Sequence, residues 1–203
     1  MILDANAETT ALIRALLADG WTYSGPVRTE SQWRSRIHEL ASPDGRLSVD
    51  VAVFPNGRTT ARLSAEAVRT GPATAPGWMV DLHEVPLCVA LAAVKAATDT
   101  GPSPYPAAET VAAELARCGW EQRVDVTERG RLVEREWDSR NLHRFVRWFP
   151  ADACDVGGWA IGREGPEATQ ISQHTPAAVI TALALTEVCD RAEPRVSPAA
   201  SGS

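Results

Sequence analysis

The stretches LADGW (Leu17–Trp21) and LARCGW (Leu115–Trp120) each end a helix-like segment in Gly-Trp, at two distant points of the chain. Before both of them, apolar residues recur at the spacing of one helix face. Glycine enters the left-handed backbone conformation without a Cβ clash, so it suits the position just after a helix. In a Schellman ending the residue after that glycine often packs back onto the helix. The sequence therefore predicts that both helices stop at glycine and that Trp21 and Trp120 are buried.

Two further pairs of segments follow in the same order. LSVDVAVFP (Leu47–Pro55) aligns with LHRFVRWFP (Leu142–Pro150), and VPLCVALAAV (Val85–Val94) aligns with TPAAVITALA (Thr175–Ala184). The Gly-Trp, Phe-Pro and proline-started helix landmarks keep their order in both halves. This conserved order predicts that the chain is a duplication of one unit.

The segments between these landmarks are typical of strands. Residues 47–53 alternate apolar and polar side chains, as a half-buried strand does. Pro86 and Pro176 suit the first turn of a helix, and Thr175 is expected to be the N-cap of the second of these helices. Each unit is therefore interpreted as a helix, a meander of four or five strands, and a second helix.

The predicted fold class is α+β, with two tandem related units. Each unit is expected to be a twisted antiparallel sheet of four to five strands, flanked by an N-terminal and a C-terminal helix that pack on one face. The predicted boundaries are residues 1–99 for the first unit, 100–108 for a proline-rich linker, 109–191 for the second unit and 192–203 for a disordered tail.

Composition and charge narrow the class of protein. The chain has 203 residues, 44% of them hydrophobic, and a net charge of −6. That charge argues against a binder of duplex DNA or membrane surfaces that relies on a large basic field. No apolar run approaches the ~20 residues that cross a bilayer, and the acidic N-terminus lacks the basic region of a signal peptide. Four scattered cysteines without a C-x-x-C pair indicate reduced thiols, no metal site and a cytoplasmic protein.

The turn sequence SPDGR (Ser42–Arg46) carries a family resemblance. Together with the strand after it and the Trp- and Pro-containing approach to an Ala-rich helix, it resembles the actinobacterial SPDY family, a domain of unknown function often found in tandem. The resemblance covers roughly 32–97 and, more loosely, 132–188. Gly45 stands where the family has its name-giving tyrosine, and 138–140 (Asp-Ser-Arg) replaces the motif in the second half. The resemblance implies a tandem fold and supplies no chemistry.

No catalytic motif is found in the sequence. His83 and His174 fall at matching positions before the closing helices, where a structural role at the helix entry is favoured over catalysis. Glu134 and Glu136 would share one face of a strand, which suits acid–base work or a cation, but their neighbouring arginines favour a charge-laced strand at the edge of the sheet. The sequence therefore predicts a protein that is not an enzyme and that has no catalytic residue, no metal and no cofactor.

Arginine interleaved with aromatic residues is the strongest functional signal. Such side chains on a sheet can hold phosphates and stack single-stranded bases. They can equally cover the core, with the arginine stems lying over tryptophan. Alternation places Arg144 and Trp148 on the side of Val146, and Arg147 on the side of Phe145, so that part of this strand is expected to be covered. The candidate nucleic-acid-binding residues are Trp33, Arg34, Arg36, Arg46, Trp137, Arg140, Arg144, Arg147 and Trp148.

Two functional hypotheses follow. The first is a non-enzymatic binding module that contacts single-stranded nucleic acid through the Arg/Trp strands. The second is a protein–protein interaction or self-assembly module, with a protein partner or a homo-oligomer and without nucleic-acid binding. Neither hypothesis involves a membrane.

Overall fold

The structure is a computed structural model that describes residues 5–30, 32, 34–56, 58–70, 73–82, 85–101, 108–139, 143–151, 157–163 and 168–186. Its helices are α1 (Ala5–Ala18), α2 (Leu87–Asp99), α3 (Ala108–Arg117) and α4 (Ala177–Leu185). The strands before α2 are β1 (Thr22–Tyr23), β2 (Arg28–Glu30), β3 (Ser35–Ala41), β4 (Leu47–Val53), β5 (Thr59–Ala65), β6 (Val68–Thr70), β7 (Ala73–Ala75) and β8 (Trp78–Asp81). Those after α3 are β9 (Glu121–Glu128), β10 (Arg131–Ser139), β11 (Arg144–Phe149), β12 (Gly158–Arg163) and β13 (Ala168–Ser172).

Both Gly-Trp stretches end their helices as predicted. Gly20 has φ 85° and Gly119 has φ 78°, in the left-handed region that favours glycine. The N–H of Trp21 donates to the Leu16 carbonyl at 3.0 Å, and the N–H of Trp120 donates likewise to Leu115 at 3.0 Å. Both are the long hydrogen bond of a Schellman motif. Trp21 is 3% exposed and Trp120 is 5% exposed, so the prediction that both are buried is confirmed.

Of the thirteen described strands, eleven form one antiparallel sheet, in the order β1-β3-β4-β5-β8-β13-β12-β11-β10-β9, with β2 also pairing with β3. Strands β6 and β7 pair with each other in a separate two-stranded sheet. The α+β class and the antiparallel sheet are therefore confirmed. A continuous sheet differs from the expectation of a separate sheet in each unit. The reason is the pairing of β8 with β13, registered at Val80 and Ile171, which leaves neither strand with an unpaired edge. The strand order is symmetric about this pair.

One side of the sheet is buried against the helices. The cross-strand register places Val49, Leu63, Val80, Ile171 and Trp159 on the same side, and all five are buried. They belong to a single core with apolar residues of the four helices. At the centre of this layer α2 packs against α4, while α1 contacts α2 and α3 contacts α4. We call this side the helix-covered face, and the opposite side the open face.

The helices after β8 and β13 begin at proline. Pro86 occupies the N-cap position of α2 with φ −56° and ψ 143°, and Pro176 does the same for α4 with φ −56° and ψ 142°. The prediction that Thr175 caps α4 is wrong, because helical geometry starts one residue later. The Thr175 side chain is buried and lies 3.2 Å from the Ser172 hydroxyl instead, and neither helix has a side-chain N-cap.

The SPDGR turn between β3 and β4 forms as its composition predicts. Gly45 has φ 70°, which this turn requires. The Ser42 hydroxyl donates to the Asp44 carboxylate at 2.7 Å and accepts the N–H of Leu47 at 3.0 Å. The matching connection between β10 and β11 includes residues 140–142, which lie outside the described residues, as do most of the predicted linker and the whole of the predicted tail.

Candidate functional site

Three tryptophans lie together on the helix-covered face of β10, β11 and β12. Trp137 and Trp159 are 2% and 1% exposed, and their ring centroids are 6.2 Å apart in a stacked arrangement. Trp148 is half-buried and lies 6.0 Å from Trp159. Two of the candidate residues for base stacking, Trp137 and Trp148, are therefore part of the packed interior of this half.

Arg135, which is not among the nine candidate binding residues, covers this tryptophan cluster. Its guanidinium carbon lies 6.0 Å from the Trp137 ring and 5.9 Å from the Trp148 ring, within the range of a cation–π contact. The same guanidinium binds Asp125 of β9 at 2.9 Å and approaches Glu109 of α3 at 3.5 Å. Arg135 thus joins the aromatic cluster to strand β9 and helix α3. This arrangement agrees with the alternative interpretation of the Arg/Trp pattern, in which arginines lie over core tryptophans.

Arg46 donates hydrogen bonds to carbonyl groups at the end of helix α2. Its Nη1 donates to the Thr100 carbonyl at 3.0 Å and its Nη2 to the Thr98 carbonyl at 3.1 Å, both at the C-terminus of α2. The Nε atom binds the Asp44 carboxylate of the SPDGR turn. Hydrogen bonds from the Ser42 hydroxyl, and then from the side chain and the backbone N–H of Arg46, lower the pKa of Asp44 to about 2.

Arg144 makes the corresponding contacts at α4. Its Nη1 donates to the carbonyls of Ala184 and Thr186 at 2.9 and 3.0 Å, and its Nη2 donates to that of Leu183 at 2.7 Å. A cation at the C-terminus of a helix satisfies carbonyl groups that lack intrahelical donors and complements the helix dipole. The guanidinium groups of Arg46 and Arg144 are therefore committed to intramolecular hydrogen bonds.

Arg147 lies on the open face, opposite Arg144 and Trp148, as the alternation of β11 predicts. Its Nε binds the Glu136 carboxylate and lies 3.4 Å from that of Glu134. The guanidinium carbon is 4.6 Å from the centre of the Phe145 ring. Arg147 thus bridges the two carboxylates. They stand on an interior strand, between β9 and β11, and not at the edge that the sequence analysis expected.

Two candidate arginines remain on the surface beside the first half of the sheet. Arg34 lies in the turn before β3 with φ 52°, and Arg36 is the second residue of that strand; both are exposed. Burial and the charge of Arg36 lower the pKa of His38, two residues further along β3. Trp33 and Arg140 lie outside the described residues, and so does His83. The structure therefore does not gather the seven described candidates into one site.

The open face carries two rows of side chains that run across the strands. The first row contains Ser48, Ser64, Met79 and Ser172, since Ser48 registers with Ser64, Ser64 with Met79, and the Met79 N–H donates to the Ser172 hydroxyl at 2.9 Å. Met79 is 46% exposed, and its strand, β8, is central in the sheet. A flexible apolar side chain therefore stands between small hydroxyl residues.

The second row, two residues away along each strand, is charged. It runs from Glu39 through Asp50 and Arg62 to Asp81, and then through Gln170, Ala160 and Arg147 to Glu136. Arg62 binds Asp81 at 2.9 Å, and Arg28 of β2 binds Glu39. Arg123 binds Asp138 of β10 at 2.9 Å. Each arginine that the register or an ion pair places on the open face, namely Arg28, Arg62, Arg123 and Arg147, thus contacts at least one carboxylate.

The sequence analysis missed Met79 and the row of ion pairs. The signal for Met79 was present in WMVD (Trp78–Asp81), where Trp78 and Val80 alternate with the exposed Met79. The ion pairs join neighbouring strands at positions that the cross-strand register fixes, such as Arg62 with Asp81 and Arg147 with Glu136, so no pattern within one strand indicates them. Within the part of the chain that the structure describes, no group of three or more His, Cys, Asp or Glu side chains could hold a metal ion, and no helix is long and apolar enough to cross a membrane.

Comparison with known proteins adds no relative. No family model matches the sequence, and no curated protein or solved structure matches the chain.

Proposed function

We propose that this protein is a non-enzymatic binding module that contacts another protein through its open face. The observation that carries the proposal is the pairing of arginines on that face with carboxylates. Nucleic acid requires uncompensated cations for its phosphates, whereas a protein interface accommodates alternating charges around an apolar centre. Met79, exposed between small residues, supplies such a centre.

The size of the open face supports a protein partner. Ten strands lie about 4.8 Å apart, and each is about six residues long, so the face has an area of roughly 900 Å². A standard protein–protein interface buries about 800 Å² on each partner. The two edges of the sheet are less suited to binding: β1 has two residues, and the pairing of β9 with β10 is interrupted by two register shifts.

The test combines an open-face variant with a matched control. Full-length protein, Met79→Arg and Leu17→Arg are used as baits; Leu17 is 39% exposed on α1. We expect a specific protein that binds the wild type and Leu17→Arg but loses at least tenfold in affinity for Met79→Arg, measured with that protein purified. An affinity that is the same for both variants would refute the open face as the binding surface.

Single-stranded nucleic acid is the second candidate, and the exposed pair of Arg34 and Arg36 favours it. A titration of a labelled thirty-nucleotide oligo(dT) at low salt tests it directly. Binding that is lost in the double variant Arg34→Ala/Arg36→Ala, and retained in Arg69→Ala, would replace the protein-binding proposal. We expect no binding tighter than that of a nonspecific acidic protein.

We further infer that the chain consists of two related units produced by duplication, 1–99 and 109–191. The symmetric strand order, the paired Schellman endings and the nearly identical dihedral angles of Pro86 and Pro176 support this inference. We also propose that these two units are related to the SPDY family that the sequence resembles. The thiol of Cys118, which forms no disulfide bond within the described residues, supports a cytoplasmic location.

A further inference from the structure

The charge of the open face identifies the chemistry of its partner. Among the described residues, the register and the ion pairs place four arginines on it together with eight carboxylates, namely Glu30, Glu39, Asp50, Asp81, Glu121, Glu134, Glu136 and Asp138. The sum of these charges is −4. We infer that the partner presents a basic protein surface, rich in Lys or Arg, to this face.

The distribution of the surplus charge decides where the basic partner lies. Asp50 registers directly between Glu39 on β3 and Arg62 on β5, and Arg62 is bound to Asp81. Three carboxylates thus face two guanidinium groups, those of Arg28 and Arg62, in the first half of the charged row. Met79 lies two residues from Asp81 on β8, so a partner side chain that pairs with Asp50 or Asp81 comes into reach of this methionine.

A second copy of this chain fits this face less well. Two open faces brought together would place a charge of −4 against the same charge, which is unfavourable when solvent is excluded. The same negative sum repels phosphate groups. A basic protein segment is therefore the one occupant whose charge complements the face and whose aliphatic side-chain stems can cover Met79.

The inference rests on the proposed protein-binding function, and the experiment separates the two. The probe is a labelled deca-lysine peptide, titrated into the full-length chain at low and physiological salt. The double variant Asp50→Asn/Asp81→Asn is compared with Asp19→Asn/Asp99→Asn, whose side chains are exposed just after α1 and at the end of α2. Both variants change the net charge from −6 to −4, so a difference between them reports position and not total charge.

We expect the open-face variant to bind the peptide at least fivefold more weakly than the wild type, and the control variant to bind it within twofold of the wild type. Equal weakening in both would overturn the basic-partner inference, because the peptide would then respond only to net charge. In that case the proposed function still stands if a purified partner depends on Met79. A homodimer in light scattering that Met79→Arg dissociates would also overturn the inference, in favour of a second copy.

Discussion

Arg46 and Arg144 make the same kind of contact at two different helices. Each guanidinium donates hydrogen bonds to the last carbonyl groups of the helix that closes its half of the chain, α2 for Arg46 and α4 for Arg144. One arginine comes from a turn and the other from the first residue of a strand. Both arginines were selected on sequence grounds as nucleic-acid ligands, and the structure shows their guanidinium groups bound to helix carbonyls. This contact leads to the first prediction.

Arg144→Ala is expected to lower the free energy of unfolding by about 1–3 kcal/mol, because the carbonyls of α4 lose charge-assisted donors. Urea denaturation followed by far-UV circular dichroism measures this. Arg69→Ala, on the exposed strand β6, serves as the control and is expected to change stability by less than about 0.5 kcal/mol. Equal stability of Arg144→Ala and the wild type would contradict the assigned role.

Gly20→Ala and Gly119→Ala are each expected to cost about 1–2 kcal/mol, since a Cβ is disfavoured at their positive φ angles of 85° and 78°. Space is not the reason: a Cβ at Gly119 would meet no atom within 4 Å. Gly101→Ala is the matched control, because it too has open space and its φ lies outside the positive region. Thermal unfolding of the three variants measures these costs. If Gly101→Ala were the most destabilised variant, the positive φ angles would not be the cause.

Substitutions at Trp159 should separate packing from hydrogen bonding. Trp159→Ala is expected to cost about 3–5 kcal/mol, because it opens a cavity beside Trp137. Trp159→Phe keeps an aromatic ring and removes an indole N–H that is buried without a described acceptor, so its cost should be less than half of that. Chemical denaturation of both variants measures the two costs, and a Phe variant as unstable as the Ala variant would show that the indole N–H has a partner.

The pH dependence of stability should carry a contribution from Asp44. Its pKa falls from an ordinary value of 3.8 to about 2 in the folded chain. A carboxyl with a depressed pKa in the folded state stabilises the fold above its unfolded pKa, and this stabilisation is lost as the pH falls through the folded pKa. The side chain is exposed, so the effect should remain below about 1 kcal/mol.

The measurement for Asp44 is the difference in unfolding free energy between the wild type and Asp44→Asn, from pH 6 to pH 2. We expect the wild-type advantage to be constant above about pH 4.5 and to shrink toward zero near pH 2. An advantage that grows as the pH falls would show that the sign, and hence the role of the Ser42 and Arg46 hydrogen bonds, is wrong.

Several elements could be predicted from the sequence because their causes are local. Gly20 and Trp21 adjoin the helix that they end, and the SPDGR turn is closed by hydrogen bonds between residues at most five positions apart. The alternation of β11 separated Arg144 from Arg147 correctly. The expectation that Thr175 caps α4 was wrong, although it too was local. The Thr175 hydroxyl is buried between the Ser172 hydroxyl and the Met79 carbonyl and does not cap the helix.

The candidate binding surface could be predicted only in part. Alternation in β8 and β11 indicates which side chains share a face, but not whether that face is covered. The same Arg-aromatic pattern puts Arg135 over buried tryptophans, Arg147 on the open face, and Arg144 at a helix end forty residues away. Pairing partners of this kind come from strands and helices that are distant in the chain.

By itself, the sequence determined where helices stop, which segments are strands, and which residues alternate toward the core, because backbone preference and apolar periodicity act over a few residues. Only the tertiary structure decided that Val80 pairs with Ile171 to make one sheet, and that the arginines of the open face meet carboxylates. These outcomes depend on which surfaces meet when α2 packs on α4. Burial and charge pairing between remote segments then assign each arginine its role.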